Sequence, residues 1–209
     1  METAIHNRLL KERPDLKVIL DIISDGTRVL DLGCGDGSLL YLLKLKKNIK
    51  ATGVEISQKK ILECVEKGIP VIHSDLNRQL DMFSENSYDF VVLSQTLQAV
   101  ERPDVVLSEM LRIGKIGIVS IINFGYYRIR LQLLLSGRMP MTPNLPYEWY
   151  STPNIHLGTI KDFEDLCKKN SIKIIHKYPL FGRAGQFFNL LPDNLFAGQC
   201  VFSITKMEK

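Results

Sequence analysis

Three glycines at alternate positions, Gly33, Gly35 and Gly37, stand between an apolar run ending at Leu32 and a leucine-rich stretch beginning at Ser38. Strand, glycine turn and helix in that order make a unit that few folds can use. Without a Cβ, such a turn lets the backbone come within van der Waals reach of a small ligand. The first N–H groups of the helix behind it lack intrahelical partners and face whatever anionic group sits there. The heptapeptide Asp31-Leu32-Gly33-Cys34-Gly35-Asp36-Gly37 is therefore the candidate binding loop.

From this loop onward, strand-like and helix-like segments alternate. Arg28–Leu32, Lys50–Ile56, Pro70–His73, Tyr88–Ser94 and Ile116–Asn123 read as strands. The fourth is apolar throughout, as expected of a strand covered on both faces. Ser38–Lys47 and Gln58–Lys67 read as helices, the second with Ser57 as N-cap and Gly68 as C-terminal cap. Pro103 can open a further helix running to Arg112. This rhythm predicts a doubly wound α/β sheet with right-handed crossovers. It breaks after Asn123. Residues 124–157 are rich in Pro, Tyr and Leu, with a helix-like Arg128–Ser136, and Pro140, Pro143, Pro146 and Pro153 forbid another long helix. Thr159–Lys169 then reads as a capped helix, and Ile172–Tyr178 and Gln199–Thr205 as two last strands. No amphipathic helix separates those two, so an antiparallel pair at the sheet edge is expected. The expected organisation is one domain over residues 1–209, with a mostly parallel seven-stranded sheet and an insertion or cap at 124–157.

Bulk properties narrow the function. A chain of 209 residues can bury a full single core. Its charge of +4 is mild, and the cluster Lys44, Lys46, Lys47 and Lys50 reads as a solvated helix end rather than a nucleic-acid footprint. The four cysteines, Cys34, Cys64, Cys167 and Cys200, form no C-x-x-C pair and suggest neither zinc nor a disulfide framework. The polar start from Met1 to Arg13 does not read as a signal peptide, and no apolar run reaches the ~18 residues of a membrane span. A cytoplasmic protein that binds neither nucleic acid nor membrane is expected.

A nicotinamide or flavin loop would read G-x-G-x-x-G. The pattern D-x-G-x-G-x-G here instead resembles the first motif of class I S-adenosylmethionine (SAM) methyltransferases. Glu55, ending the second strand, falls near the interval of a ribose-binding acid, although taken alone it could simply cap the next helix. Asp75 follows the third strand where that pattern has an acid facing the adenine amino group, or it is a turn residue. Ser94 and Gln95 end the fourth strand, where such enzymes often line the methyl-transfer pocket, although either could simply cap the following helix. The resemblance thus implies cofactor contacts from Asp31, Gly33, Gly35, Asp36, Glu55, Ile56, Asp75, Leu76 and Ser94, with SAM or S-adenosylhomocysteine as cofactor. No catalytic residue and no metal ligand is assigned. His73 is expected beside adenine, and His156 as a structural or lid residue.

The similarity to one family runs further. Val29–Leu40 (V-L-D-L-G-C-G-D-G-S-L-L), Leu93–Gln98 (L-S-Q-T-L-Q) and Glu109–Gly114 (E-M-L-R-I-G) resemble methionine-biosynthesis proteins of the MetW type. More specific are the runs Asn123-Phe124-Gly125, Gly137-Arg138-Met139-Pro140, Leu145-Pro146-Tyr147 and Thr152-Pro153-Asn154-Ile155-His156-Leu157. Departures are small: Ser57 where Asp is expected and Gly158 where Cys is common. The resemblance implies a SAM-binding subunit that partners and activates a homoserine O-acyltransferase. The alternative is a SAM-dependent methyltransferase acting on a small metabolite, with the insertion as its substrate cap. The residues Tyr126, Tyr127, Leu131, Leu133, Leu134, Leu135, Trp149 and Tyr150 suit an interface, and about half of them are expected instead to pack over the sheet or lid the SAM pocket.

Overall fold

The computed structural model describes residues 9–78, 80–143, 145–181 and 192–207. In chain order the elements are α1 (Pro14–Ile22), β1 (Arg28–Leu32), α2 (Ser38–Lys47), β2 (Lys50–Glu55), α3 (Gln58–Glu66), β3 (Val71–His73) and β4 (Tyr88–Ser94). A 3-10 turn (Leu97–Ala99) leads to α4 (Pro103–Ile113), β5 (Gly114–Ile122) and α5 (Tyr127–Ser136). Then follow α6 (Ile160–Lys169), β6 (Ile172–Phe181), α7 (Asp193–Phe196) and β7 (Ala197–Lys206).

The seven strands form one sheet in the order β3-β2-β1-β4-β5-β7-β6. The first five are parallel; β7 runs antiparallel to both β5 and β6. The last pair is antiparallel, as read from the sequence, but β7 inserts beside β5 and leaves β6 at the edge. Alternation along each strand sends neighbouring side chains to opposite faces. Val29, Phe90, Val92, Ile118 and Val201 pack on one face with Leu16, Ile19 and Leu20 of α1 and Leu39, Leu40, Leu42 and Leu43 of α2. Leu30, Leu32, Val91, Leu93 and Phe202 pack on the other with Leu107 and Met110 of α4 and Phe163 of α6.

The helix α1 was not anticipated. Pro14 occupies its first turn, and Leu16, Ile19, Leu20 and Ile23 recur at helical spacing and are all buried. Elsewhere the boundaries differ by one to three residues, as terminal turns and strand ends commonly do. Thr159 caps α6 through a capping box with Asp162, its hydroxyl accepting from the Asp162 N–H. Ser57 stands at the N-cap of α3 but its side chain makes no capping bond. The Glu55 side chain two residues upstream accepts from the Ser57 N–H instead, at 2.9 Å. The lysines Lys44, Lys46 and Lys47 fill the last turn of α2, where they complement the helix dipole.

Candidate functional site

The parallel strands end on one edge of the sheet, where open α/β sheets gather ligands. There β1 runs into the glycine turn. Gly33, Gly35 and Gly37 all have positive φ, at +78°, +58° and +74°. The first is the most constrained: a Cβ on Gly33 would lie 2.5 Å from Cγ2 of Thr96. The turn is tied to β2 by the Gly33 and Cys34 N–H groups, which donate to the Val54 carbonyl at 2.8 and 3.0 Å.

Three carboxylates sit on the sheet face that α1 covers. Asp31 shares the parity of Val29, and Glu55 lies two residues beyond Gly53, the register partner of Asp31. Asp15 enters from α1 above them and is fully buried. Glu55 is bound entirely to backbone: Oε1 accepts from Ile56 and Ser57 N–H, and Oε2 accepts from Gly35 N–H at 2.9 Å. It thereby ties the β2 end to the glycine turn. Asp15 takes both Nε and Nη2 of Arg13, at 2.9 and 2.8 Å, and the hydroxyls of Ser94 and Ser120, each at 3.0 Å.

Asp31 is different. It is 2% exposed, and its Oδ1 is buried with no hydrogen-bond partner. Burial pushes its carboxyl up to about 7; the Arg13 guanidinium opposes that rise, and the charges of Glu55 and Asp15 add to it. A buried acceptor without a donor is costly. A second polar atom without a partner, Nε2 of Gln95, belongs to the residue just past β4, whose φ is +56°. The strand ends therefore present an unanswered acceptor and an unanswered donor.

The remaining sequence-predicted residues fall around this edge in different roles. Asp36 faces the outer side of the turn, where Nζ of Lys67 donates to its carboxylate at 2.5 Å and its Oδ1 accepts from Ser38 N–H at 3.1 Å. Burial alone would push its carboxyl up, but the bonds from Lys67 and Ser38 prevail and hold it below the usual carboxylate range. Ile56 is more than half exposed, and Leu76 packs against the core on the other sheet face. Asp75 is half-buried and accepts from Asn77 N–H at 2.9 Å, a turn of the kind Asp favours. The Ser94 hydroxyl accepts from Nη2 of Arg13 at 2.7 Å and donates to Asp15, so it has no spare proton. The ring of His73 meets the Ile56 carbonyl at 3.0 Å, and that of His156 the Val100 carbonyl at 2.9 Å.

Sequence reasoning missed Arg13, Asp15, Thr96 and Ser120. The buried network they build joins residues up to 105 positions apart, and no local pattern marks it. The helical spacing of Leu16, Ile19 and Leu20 behind Pro14 was the available signal. Beneath the turn, Cys34 and Cys64 lie with their sulfurs 3.9 Å apart, and Cys64 donates to the Gly35 carbonyl at 3.2 Å. Burial pushes both thiols up, so they behave as small apolar side chains.

Beyond β5 the chain is anchored at two points. Asn123 is fully buried, its amide donating to the carbonyls of Ala197 and Asn194 and its Oδ1 accepting from Gly125 N–H. Gln98 is the second anchor. Its Oε1 accepts from Ile122 N–H at 2.8 Å, and its Nε2 donates to the carbonyls of Ile122 and His156. Its own carbonyl accepts from Ile155 and His156 N–H. Between the anchors Gly125, Ile129, Pro140 and Leu145 are buried among the described residues, with Ile129 and Leu145 packed against Ile122. Leu131, Leu133, Leu134, Leu135, Trp149 and Tyr150 are all exposed, Leu134 and Leu135 to 78% and 81%. More of the eight apolar residues face outward than the half expected. A cavity of about 260 Å³ lined by Asp104, Ser108, Asn170 and Lys206 lies at the opposite edge, where the parallel strands begin. Among the described residues no helix is long and apolar enough to cross a membrane.

A family model described as methionine biosynthesis protein MetW matches residues 13–204. The bifunctional methionine biosynthesis protein MetXA/MetW of Rhodopirellula baltica is 36% identical over 189 residues, 86% of this chain but 30% of that protein. The chain therefore spans less than a third of the length of that curated relative. Among solved structures, a SAM-dependent methyltransferase from Archaeoglobus fulgidus superposes with a TM-score of 0.68 at 16% identity, covering 99% of this chain and 95% of that one. A Thermotoga maritima SAM-dependent methyltransferase, described as a possible histamine N-methyltransferase, gives 0.66 at 18% identity over 98% and 96%. At such identities the likeness is one of fold, and the fold is that of the Rossmann-like class I methyltransferases.

Proposed function

The chain belongs to the MetW family of methionine-biosynthesis proteins, and from that premise we propose that it is a SAM-binding subunit that partners and activates a homoserine O-acyltransferase. The observation that carries this reading is the relative from Rhodopirellula baltica, in which MetXA and MetW are one polypeptide. Two activities joined covalently in one protein are held at high effective concentration. Separate chains achieve the same by binding each other. The docking surface on this chain is the segment 124–157, read as an insertion of a single methyltransferase-like domain.

The glycine turn and its carboxylates fit SAM. The unpartnered Oδ1 of Asp31 suits an ammonium, Glu55 retains lone pairs for ribose hydroxyls, and the backbone at Gly33 and Gly35 allows close approach. Ile56, Asp75 and Leu76 flank the nucleoside side, Asp36 braces the turn through Lys67, and Ser94 bounds the methyl side. Bound SAM supplies an electrophilic methyl group or, as the end product of methionine synthesis, a signal of supply. The chain's own residues favour the signal. A methyltransferase acting on an alcohol or a protonated amine gains from a free base. The Ser94 hydroxyl at the strand end is held by Arg13 and Asp15 and offers no such base.

The deciding experiment is purification of the chain alone and with the acyltransferase, followed by acyl-transfer assays over a SAM titration. Tight association with a rise in acyl transfer supports the reading. Methyl transfer to a metabolite by the isolated chain supports the alternative of a small-molecule methyltransferase. A complex whose affinity and rate ignore SAM removes the regulatory part. Asp31→Ala and Glu55→Ala are expected to lose SAM binding; retained binding in both would remove the ligand from this edge.

A further inference from the structure

Where the segment 124–157 rejoins the sheet, a cavity of about 100 Å³ opens between the chain at 156–158 and the helices α4 and α6. Its floor is Leu97, Ile121 and Phe163, all buried, and Pro103 and Leu166 form its walls. Leu97, Ile121, Phe163 and Leu166 belong to the core under α4 and α6. The carboxylates of the glycine turn lie on the other face of the sheet, so this is a separate place on the molecule. His156 and Asp162 on its rim are exposed. Gly158 also lines it, and a Cβ there would meet nothing within 4 Å.

The polar side chains around the cavity are already engaged within the chain. Gln98 is committed to Ile122 and His156, and Thr159 and Asp162 to each other in the capping box of α6. Nε2 of His156 meets the Val100 carbonyl. A polar occupant would leave its hydrogen bonds to water and gain none in return. The occupant is therefore apolar. Size narrows it further: an apolar cavity of about 150 Å³ takes a benzene ring, so this smaller one suits a branched aliphatic group and not an aromatic one.

The surroundings identify where that group comes from. Leu157, between the lining residues His156 and Gly158, is 52% exposed, and Ile155 is 56% exposed. Both end the segment read above as the docking surface, so the cavity continues that apolar surface onto α4 and α6. Pockets within such surfaces are where interfaces seat their anchor side chains. Gln98 fixes the wall of this one, its carbonyl accepting from Ile155 and His156 N–H. We propose that the cavity beside Gly158 is the socket for one branched aliphatic side chain (Leu, Ile or Val) of the homoserine O-acyltransferase, an inference that rests on the acyltransferase-subunit reading.

Methyl NMR with dissolved xenon tests the socket on the unaltered chain, since xenon enters dry apolar cavities. In the free chain xenon should shift the methyl resonances of Leu97, Ile121 and Leu166. In the complex with the acyltransferase those shifts should vanish, because the cavity is filled. Plugging the socket supplies the second arm. Gly158 has no left-handed φ, so Gly158→Leu should leave the melting temperature of the free chain unchanged or raised. It should weaken acyltransferase binding by about 30-fold, as loss of an anchor does. Leu166→Phe fills the same space from α6 and should weaken binding alike. Should Gly158→Leu lower the melting temperature, Leu166→Phe and the xenon series still decide. Xenon shifts that are absent from the free chain or persist in the complex would overturn the socket and leave the acyltransferase reading standing. Plugged chains that bind as tightly as the unaltered one would do the same. Absence of any complex with the unaltered chain would remove that reading, and the socket with it.

Discussion

The glycine turn and the segment 124–157 handle their chemistry in opposite ways. At the turn, nearly every polar group is answered from within the chain, and Asp31 Oδ1 and Gln95 Nε2 are left over. In the segment, the polar anchors are satisfied at both ends, by Asn123 and Gln98, and the surplus is apolar. A leftover buried carboxylate is a demand for a small charged ligand. A leftover apolar surface is a demand for a large partner. The contrast can be tested through the stability of the isolated chain, from the largest expected effect downward.

Gly33→Ala should be the most damaging single change at the turn. It forces a left-handed φ of +78° on a residue with a Cβ and drives that Cβ to 2.5 Å from Thr96. Strain and overpacking together should cost about 3 kcal/mol or more in urea denaturation, with loss of S-adenosylhomocysteine binding. Gly35→Ala meets nothing within 4 Å and should cost only the backbone strain, about 1 kcal/mol. Equal costs would mean that Thr96 does not wall the turn.

Asp31 should make the ligand-free chain less stable as pH rises. Its folded value of about 7 lies above its ordinary value of 3.8. Between the two, the folded state holds a proton that the unfolded state has released, so the acid form stabilises folding and that contribution is lost towards pH 8. The loss between pH 5 and pH 8 should be about 2–3 kcal/mol relative to Asp31→Asn. Saturating S-adenosylhomocysteine should abolish that difference, because an ammonium favours the carboxylate. The groups that set this window are Arg13 and Asp15 from the α1 side and Glu55 from β2. An identical pH profile for both proteins would place the Asp31 carboxyl in water.

How far these features were legible in the sequence follows from how local they are. The strands and the turn depend on short apolar runs and alternate glycines, and they were read within one to three residues. The buried network of Arg13 and Asp15 was not, because these residues meet Ser94 and Ser120 only once α1 is folded onto the sheet. Charged residues ahead of a proline look like a solvated start. Nothing in Pro14–Ile22 itself says that Asp15 ends up fully buried. Gln98 is an intermediate case. It stands in a run that carries the family resemblance, yet its partners Ile122 and His156 are distant in sequence.

Gln98→Ala should cost about 2 kcal/mol, since it strands the buried Ile122 N–H and removes a bond to the His156 carbonyl. Hydrogen exchange should accelerate at Ile122 and His156 while β1 and β2 stay protected. Uniform acceleration across the sheet would show that the anchor serves the whole core rather than the segment.

Leu134→Lys with Leu135→Lys should change the stability of the isolated chain least, by about 0.5 kcal/mol or less, because both side chains are already in water. The same pair should weaken binding to the acyltransferase by about 100-fold, as charges placed in an apolar interface do. Residues 124–157 carry Arg128, Arg130 and Arg138 against the single acid Glu148, so two more lysines would tighten binding to an acidic partner surface and weaken it, through unpaired desolvation, where that surface is apolar. A stability loss of about 1 kcal/mol or more would mean that these leucines pack within the chain, and the segment would then be a lid over its own sheet. Unchanged stability with unchanged affinity would move the interface elsewhere. The informative outcome is the dissociation of the two readouts: a surface that costs the free chain nothing to alter, and the complex nearly everything, exists for the complex.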